Sequence, residues 1–198
     1  MSEEADGAGA ALDAGLPVSL EDMRAWLRLS GEAEDLLLIR LIAVAAQICE
    51  AFIGQWVMVR GAAWRGVFAE YSRTLVLPGR PVVAVDGVAL VADGEADLDL
   101  PPHEFHIVTD RDGGVQLRVD GRYGRRAARV DYRAGMAADP AEVPEGLRHG
   151  MIRMVQHLYE TRDVPSLGGM PPASVVALWQ PWRRMTLGAA PRFAGAQR

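Results

Sequence analysis

The chain contains no lysine and no asparagine, and Cys49 is its only cysteine. Without lysine there is no Schiff-base nucleophile and no anchor for pyridoxal phosphate. A P-loop or kinase phosphate lysine is excluded on the same ground. One cysteine cannot form an intramolecular disulfide, so nothing in the sequence requires an oxidising compartment. A chain-wide basic footprint for nucleic acid is also missing, since the formal net charge is -5. Long uncharged apolar runs are lacking too. The most apolar stretch, residues 36–53, is interrupted by Arg40 and Glu50, which leaves too short a span for a bilayer and predicts a buried helix with no membrane role.

What is present reads as helix, then strand, then helix. Residues 1–16 are rich in Ala, Gly and acids. They lack the basic and apolar regions of a signal peptide and read as a disordered acidic arm. Residues 17–55 read as helical. Ser19 with Glu21 and Asp22 forms an N-cap signal for a short helix to about residue 29. A second helix is predicted from about residue 32 to Ile53, stopped by Gly54. Leu38, Ile42, Ala45, Cys49 and Phe52 share one face of it, and Leu37, Leu41, Val44 and Ile48 form an adjacent stripe. Together they make an apolar face wider than one neighbour needs.

Residues 56–140 change period. Runs at Trp56-Val57-Met58-Val59, Thr74-Leu75-Val76-Leu77 and Val82-Val83-Ala84-Val85, with three more at 105–108, 115–119 and 128–132, predict an antiparallel β module of roughly six strands. Asp86-Gly87, Asp93-Gly94, Asp112-Gly113 and Asp120-Gly121 are hairpin-type dipeptides. Residues 141–163 return to helical spacing through Leu147, Met151, Met154, Val155 and Leu158, after Pro144 at the start. Residues 164–198 predict a loop, a short helix over 173–178 ended by Pro181, and an extended tail. The fold class is therefore α+β: N-terminal and C-terminal helices packed as a small bundle, with an inserted antiparallel β module.

No constellation carries recognisable catalysis. His103 and His106 would point to opposite faces of a strand, and His149 and His157 lie too far apart along a helix to share a metal. Asp93, Glu95, Asp97, Asp99 and Glu104 have calcium-loop offsets, but Leu98 stands where such a loop needs Gly. Cys49 sits among apolar residues, unlike a reactive thiolate. No G-x-S-x-G elbow exists, and Ser166 lacks its context. No catalytic residue, metal or cofactor is assigned.

Two surfaces stand out instead. Arg122, Arg125, Arg126 and Arg129, flanked by Arg118 and Arg133, form a dense basic stretch. It is either a solvated surface offset by Asp120 and Asp131, or a contact to a neighbouring subunit's acids or to DNA phosphate. Without interleaved exposed aromatics, a protein contact is the preferred functional reading. The second surface is Trp179-Gln180-Pro181-Trp182-Arg183-Arg184, in a segment free of acids from Val164 onward that also holds Phe193. Trp and Arg are the types enriched at binding hot spots. The segment either tucks onto its own domain or docks on a partner, and its composition favours docking.

An ordered set of segments resembles the phage head–tail connector (adaptor) family, in its longer forms with a β insertion. Ser19 to Arg28 is similar to the family's opening helix. Glu34-Asp35-Leu36-Leu37 with Leu41-Ile42-Ala43, and Glu50-Ala51-Phe52-Ile53-Gly54-Gln55, resemble its long second helix. Leu77-Pro78-Gly79-Arg80-Pro81-Val82 is similar to the start of the insertion. Tyr132-Arg133-Ala134-Gly135, Val143-Pro144 and His157-Leu158-Tyr159-Glu160-Thr161-Arg162 resemble the return to the last helix. The ending Leu178-Trp179-Gln180-Pro181-Trp182-Arg183-Arg184 looks like connectors of gene transfer agents.

The resemblance implies a structural protein with no catalytic residues. It implies a homo-oligomeric ring of about twelve copies below a portal protein, with a tail-side connector or stopper protein on the other side. DNA would pass through without sequence-specific binding. Assembly in the bacterial cytoplasm would place the protein at the head–tail junction of the particle. On that reading Trp179, Pro181, Trp182, Arg183, Arg184 and Phe193 are expected to dock on the portal. A small hydrolase and a DNA-binding regulator are the competing function classes.

Overall fold

The computed structural model describes residues 15–69, 73–91, 97–119, 123, 126–161 and 171–184. These form two compact units. One runs to Met58 and resumes over Met136–Arg183; the other comprises Val59–Gly135 together with residues from Arg184 on. The first is helical and the second is made of antiparallel β-strands, so the fold is mixed α+β.

In the helical unit, α1 spans Leu20–Leu27. The Ser19 hydroxyl accepts the Asp22 amide at 3.0 Å, as the sequence predicts. The helix ends two residues before the expected point because Arg28 turns left-handed, with φ 57°. Helix α2 spans Asp35–Ile53. Its expected start near residue 32 is not formed: residues 31–34 make turns, and Glu34, at φ -107° and ψ 6°, precedes the first helical residue. The Arg24 guanidinium grips the Asp35 carboxylate with both Nε and Nη2, with Nε at 2.8 Å from the oxygen, and so ties α1 to the first residue of α2. Gly54 ends α2 with φ 71°.

Helix α3 spans Glu145–Glu160 and α4 spans Ala173–Trp179. Leu38, Ile42, Ala45 and Cys49 of α2 are fully buried, joined by Met23, Leu147, Met151, Val155 and Trp179. The 3.6-residue period thus places one face of α2 correctly, although Ile53 and not Phe52 closes the stripe. Each fully buried large side chain contributes roughly 1.5–3 kcal/mol, so this cluster holds the unit together. Leu16 packs against it, and Val18 is fully buried, so Leu16, the last residue of the segment read as an arm, belongs to the helical unit. Residues 1–14 lie outside the described set.

The expected strand at Trp56-Val57-Met58-Val59 is not formed. The Val57 amide donates to the Glu50 carboxylate at 2.9 Å, and Val57 and Met58 are buried in the helical core. Strand β1 begins instead at Arg60 and runs Arg60–Val67. The remaining strands are β2 (Thr74–Val76), β3 (Val82–Leu90), β4 (Leu98–Asp99), β5 (Phe105–Thr109), β6 (Val115–Val119) and β7 (Ala127–Ala134). They form two sheets, of order β1-β7-β3-β4 and β2-β6-β5, where one module of roughly six strands was expected.

Asp86-Gly87 is not a hairpin turn but lies inside β3, where the register against β7 shifts. A Gly and a short polar residue suit a bulge as well as a turn. Asp112-Gly113 does turn β5 into β6, with Gly113 at φ 72° and the Asp110 side chain accepting the amides of Asp112 and Gly114. Asp93-Gly94 and Asp120-Gly121 lie outside the described residues. Leu75, Leu117, Val119, Val130 and Tyr132 fill the interior of this unit. The Gly79 amide donates to the buried Tyr132 hydroxyl at 3.3 Å, and burial raises the pKa of that phenol, partly offset by the Gly79 contact.

Candidate assembly surfaces

The Trp/Arg segment divides sharply along its length. Trp179 closes α4 and is fully buried. Its indole N–H donates to the Leu147 carbonyl at 3.3 Å, and its ring meets Phe52 with centroids 6.0 Å apart. Gly150 on α3 makes this fit possible, because a Cβ there would collide with the indole nitrogen. Trp179 is therefore a core residue of its own subunit, and its expected place in a docking surface is corrected: the indole has no exposed area to offer.

Pro181 does not simply stop the chain. It lies in a 3-10 turn over Gln180–Trp182, which the missing amide of proline tolerates at its start. Trp182 is half-buried against the helical core, and its carbonyl accepts the Gln55 side-chain amide at 2.7 Å. Gln55 is itself buried, so that bond satisfies a polar group the core would otherwise strand. The Arg183 guanidinium stands over the Phe52 ring, 5.3 Å from its centroid, in a cation–π contact. Pro181, Arg183 and Arg184 are exposed. Arg184 pairs with Asp112 at 3.4 Å, both side chains about half exposed, a geometry worth little in stability. Phe193 lies outside the described residues.

The basic stretch is also divided. Arg122 and Arg125 lie outside the described residues. Arg126 is exposed. Arg129, on β7, bonds Asp97 at 2.8 Å and Asp131 at 3.2 Å. Its charge is met within the chain, as the solvated-surface reading expects of Asp131. Arg133 likewise meets Asp86, at 3.2 Å. Among the described residues no group of three or more His, Cys, Asp or Glu side chains could hold a metal ion. Cys49 is buried, and desolvation pushes its thiol up to about 12, with the Glu50 charge adding to the shift. Such a thiol is inert as a nucleophile.

Helix α2 carries a more informative surface. It has the length and apolar composition of a membrane-crossing helix, yet its inner face is the core of the helical unit. Its outer face stays open in the isolated chain: Leu36 is 66% exposed, Val44 41% and Leu37 37%. Arg40 and Gln47 are exposed beside them. A guanidinium and an amide on that face would be costly in lipid but are ordinary at a protein contact. The stripe at Leu37 and Val44, on a face wider than one neighbour needs, was legible from the period.

Trp26 is an exposed aromatic that the sequence reading did not single out. It is 44% exposed, its indole N–H donates to Gln156 at 2.9 Å, and its ring sits edge-on to His149 at 5.4 Å. With Ala25, Glu145, Arg148 and Ile152 it lines an open groove of about 430 Å3 along α1 and α3. The period gave no signal for it, since Trp26 follows the buried Leu20 and Met23 at three-residue steps and so lies at the border of the apolar face.

No family model matches the chain, and no curated protein matches it. Solved structures do. A chain from the neck of an empty gene transfer agent particle, computed with C6 symmetry, is 23% identical at a TM-score of 0.73 and covers 90% of this chain and 96% of that one. A chain from the virion of a native gene transfer agent particle gives 23% identity and a TM-score of 0.71, covering 90% and 95%. A third, from the neck of the native particle computed with C12 symmetry, gives 21% and 0.70, covering 90% and 94%. The fold is shared along nearly the whole of both chains.

Proposed function

We propose that this chain is a structural head–tail connector of a gene transfer agent or related phage-like particle. About twelve copies would form a ring below the portal, extend the DNA channel and join it to a tail-side connector or stopper. The observation that carries this reading is the end-to-end fold likeness to chains from the neck of such particles. A ring needs one patch that binds a different patch on the next copy, and the uncovered apolar face of α2 is suited to be one of them. In this reading the protein has no catalytic role and touches DNA only as it passes, without sequence preference.

The described segment refines how portal docking should be tested. Deleting from Pro181 would remove Trp182 and Arg183, which pack on the helical core, and would confuse docking with folding. A chain ending at Arg184 keeps those contacts. Of the expected docking residues it removes Phe193 alone, so we expect that truncation to weaken binding to purified portal roughly tenfold, the size of losing one large hot-spot side chain. Portal binding at full strength by the truncated chain would refute the docking role of residues 185–198.

The ring contact has its own test. Leu36→Glu with Val44→Glu alters the two most exposed of the large apolar side chains of α2, so stability should change by no more than about 1 kcal/mol. Ring formation on the portal, seen by electron microscopy, should be lost. Intact rings from this double variant would remove α2 from the interface.

A further inference from the structure

The two sheets expose strand edges of unequal character. Strand β2 offers three residues and β4 two. Strand β3 is bulged twice where it pairs with β7, and its other edge is covered by β4 at Ala89 and Leu90 and tied down where the Val82 amide reaches the Gly113 carbonyl and the Leu100 amide reaches the Val88 carbonyl. Short, bulged or covered edges are how proteins avoid unwanted strand pairing. Strands β1 and β5 differ. β1 keeps unbroken register with β7 over eight residues, and β5 with β6 over five. Among the described residues neither has a strand on its other side. β5 reads Phe-His-Ile-Val-Thr, with no Pro and no formal charge, and Ile107 and Val108 are about half exposed. That is an unprotected edge.

The charges beside these edges are complementary. Beside β5 lies an open groove of about 650 Å3, walled by Val85, Val88, Phe105 and Ile107. Its ionisable lining is Asp86, Asp99 and His106; Asp86 already pairs with Arg133 of the same chain at 3.2 Å, which leaves Asp99 as the lining carboxylate with no ion pair among the described residues. β1 carries Arg60 and Arg65 and no acid. Arg65 is exposed and stands in register with Arg129, whose own charge is met by Asp97 and Asp131. Arg65 has no carboxylate partner among the described residues. Pairing β1 with another copy's β1 would bring arginines together, whereas β1 beside the groove would bring arginine to aspartate.

We propose that β1 of one copy adds as a strand to the open edge of β5 on the next copy, with Arg65 facing Asp99 across the groove. The contact uses two different patches, the heterologous arrangement that a closed ring requires, and it rests on the ring reading above. Backbone hydrogen bonds would supply affinity, and the charge pairing would select β1 over the other edges.

The test compares the full-length protein before and after assembly on the portal. Hydrogen exchange of the segments Arg60–Val67 and Phe105–Thr109 should slow together on ring formation, by roughly tenfold or more. Arg65→Asp and Asp99→Arg, both at exposed positions, should each raise the subunit concentration needed for rings by about tenfold, and the two together should restore it. Rings that form with neither segment protected overturn the strand pairing but leave the ring reading standing. Protection of β5 without β1 would assign the edge to another occupant, such as residues 185–198 or a tail-side protein, and overturn the pairing. Failure of the wild-type chain to form rings even on the portal would overturn both.

Discussion

Trp179→Ala is expected to destabilise the helical unit by about 3–5 kcal/mol, the range for deleting a fully buried large aromatic. The indole occupies space that nothing nearby can refill, because Gly150 was placed to admit it and Leu147, Phe52 and α4 surround it. The substitution also leaves the Leu147 carbonyl without its side-chain donor. Gly150→Ala approaches the same joint from the other side. Its Cβ meets the indole nitrogen and carbon at contact distances no real packing accepts, so α4 must shift or detach. Urea denaturation followed by helix signal would measure both. A loss below about 1 kcal/mol for Trp179→Ala would show that α4 is not part of the cooperative core. Because the Trp/Arg segment continues directly from this residue, Trp179→Ala should also disturb any portal docking, and for that reason it is a poor probe of docking.

The second large effect is alkaline loss of stability through Cys49. The buried thiol titrates near 12, against an ordinary value of 9.0. Between those pH values the unfolded chain has released the thiol proton and the folded chain has not, so stability falls as pH rises. The contribution is fully present below pH 9, declines above it and is gone near 12. Over the whole interval it amounts to the order of 4 kcal/mol. Tyr132, also raised by burial, acts in the same direction above its ordinary value of 10.0. Stability measured from pH 7 to 11.5 should fall steeply in the wild type and much less in Cys49→Ala, which starts lower because of its smaller side chain. Equal slopes in the two proteins would assign the alkaline transition elsewhere.

The two competing function classes gain little from the structure. A hydrolase needs polar groups converging in a pocket. The two grooves described are open, one walled by β-strand apolar residues and one by Trp26 and its neighbours. A DNA-binding regulator needs free basic side chains on one face; of the basic stretch, Arg129 and Arg133 are engaged by aspartates of the same chain and Arg126 is exposed.

Local rules determined a great deal from the sequence alone. The Ser19 cap, the left-handed stop at Gly54, the inner face of α2 and the Asp112-Gly113 turn are short-range consequences of hydrogen bonding, φ preference and period. The α+β order followed from where the period changed. What only the tertiary structure decided depends on long-range competition. Val57 and Met58 look like strand residues but serve the helical core, because Glu50 holds the chain there. Asp86-Gly87 looks like a turn but forms a bulge, because β3 continues along β7. Trp179 looks like a hot spot but is core, because Gly150, twenty-nine positions earlier, leaves room for it. Composition reports which side chains can bind strongly. Whether they bind their own chain or another is set by burial, which is a property of the folded molecule and not of any local run of residues.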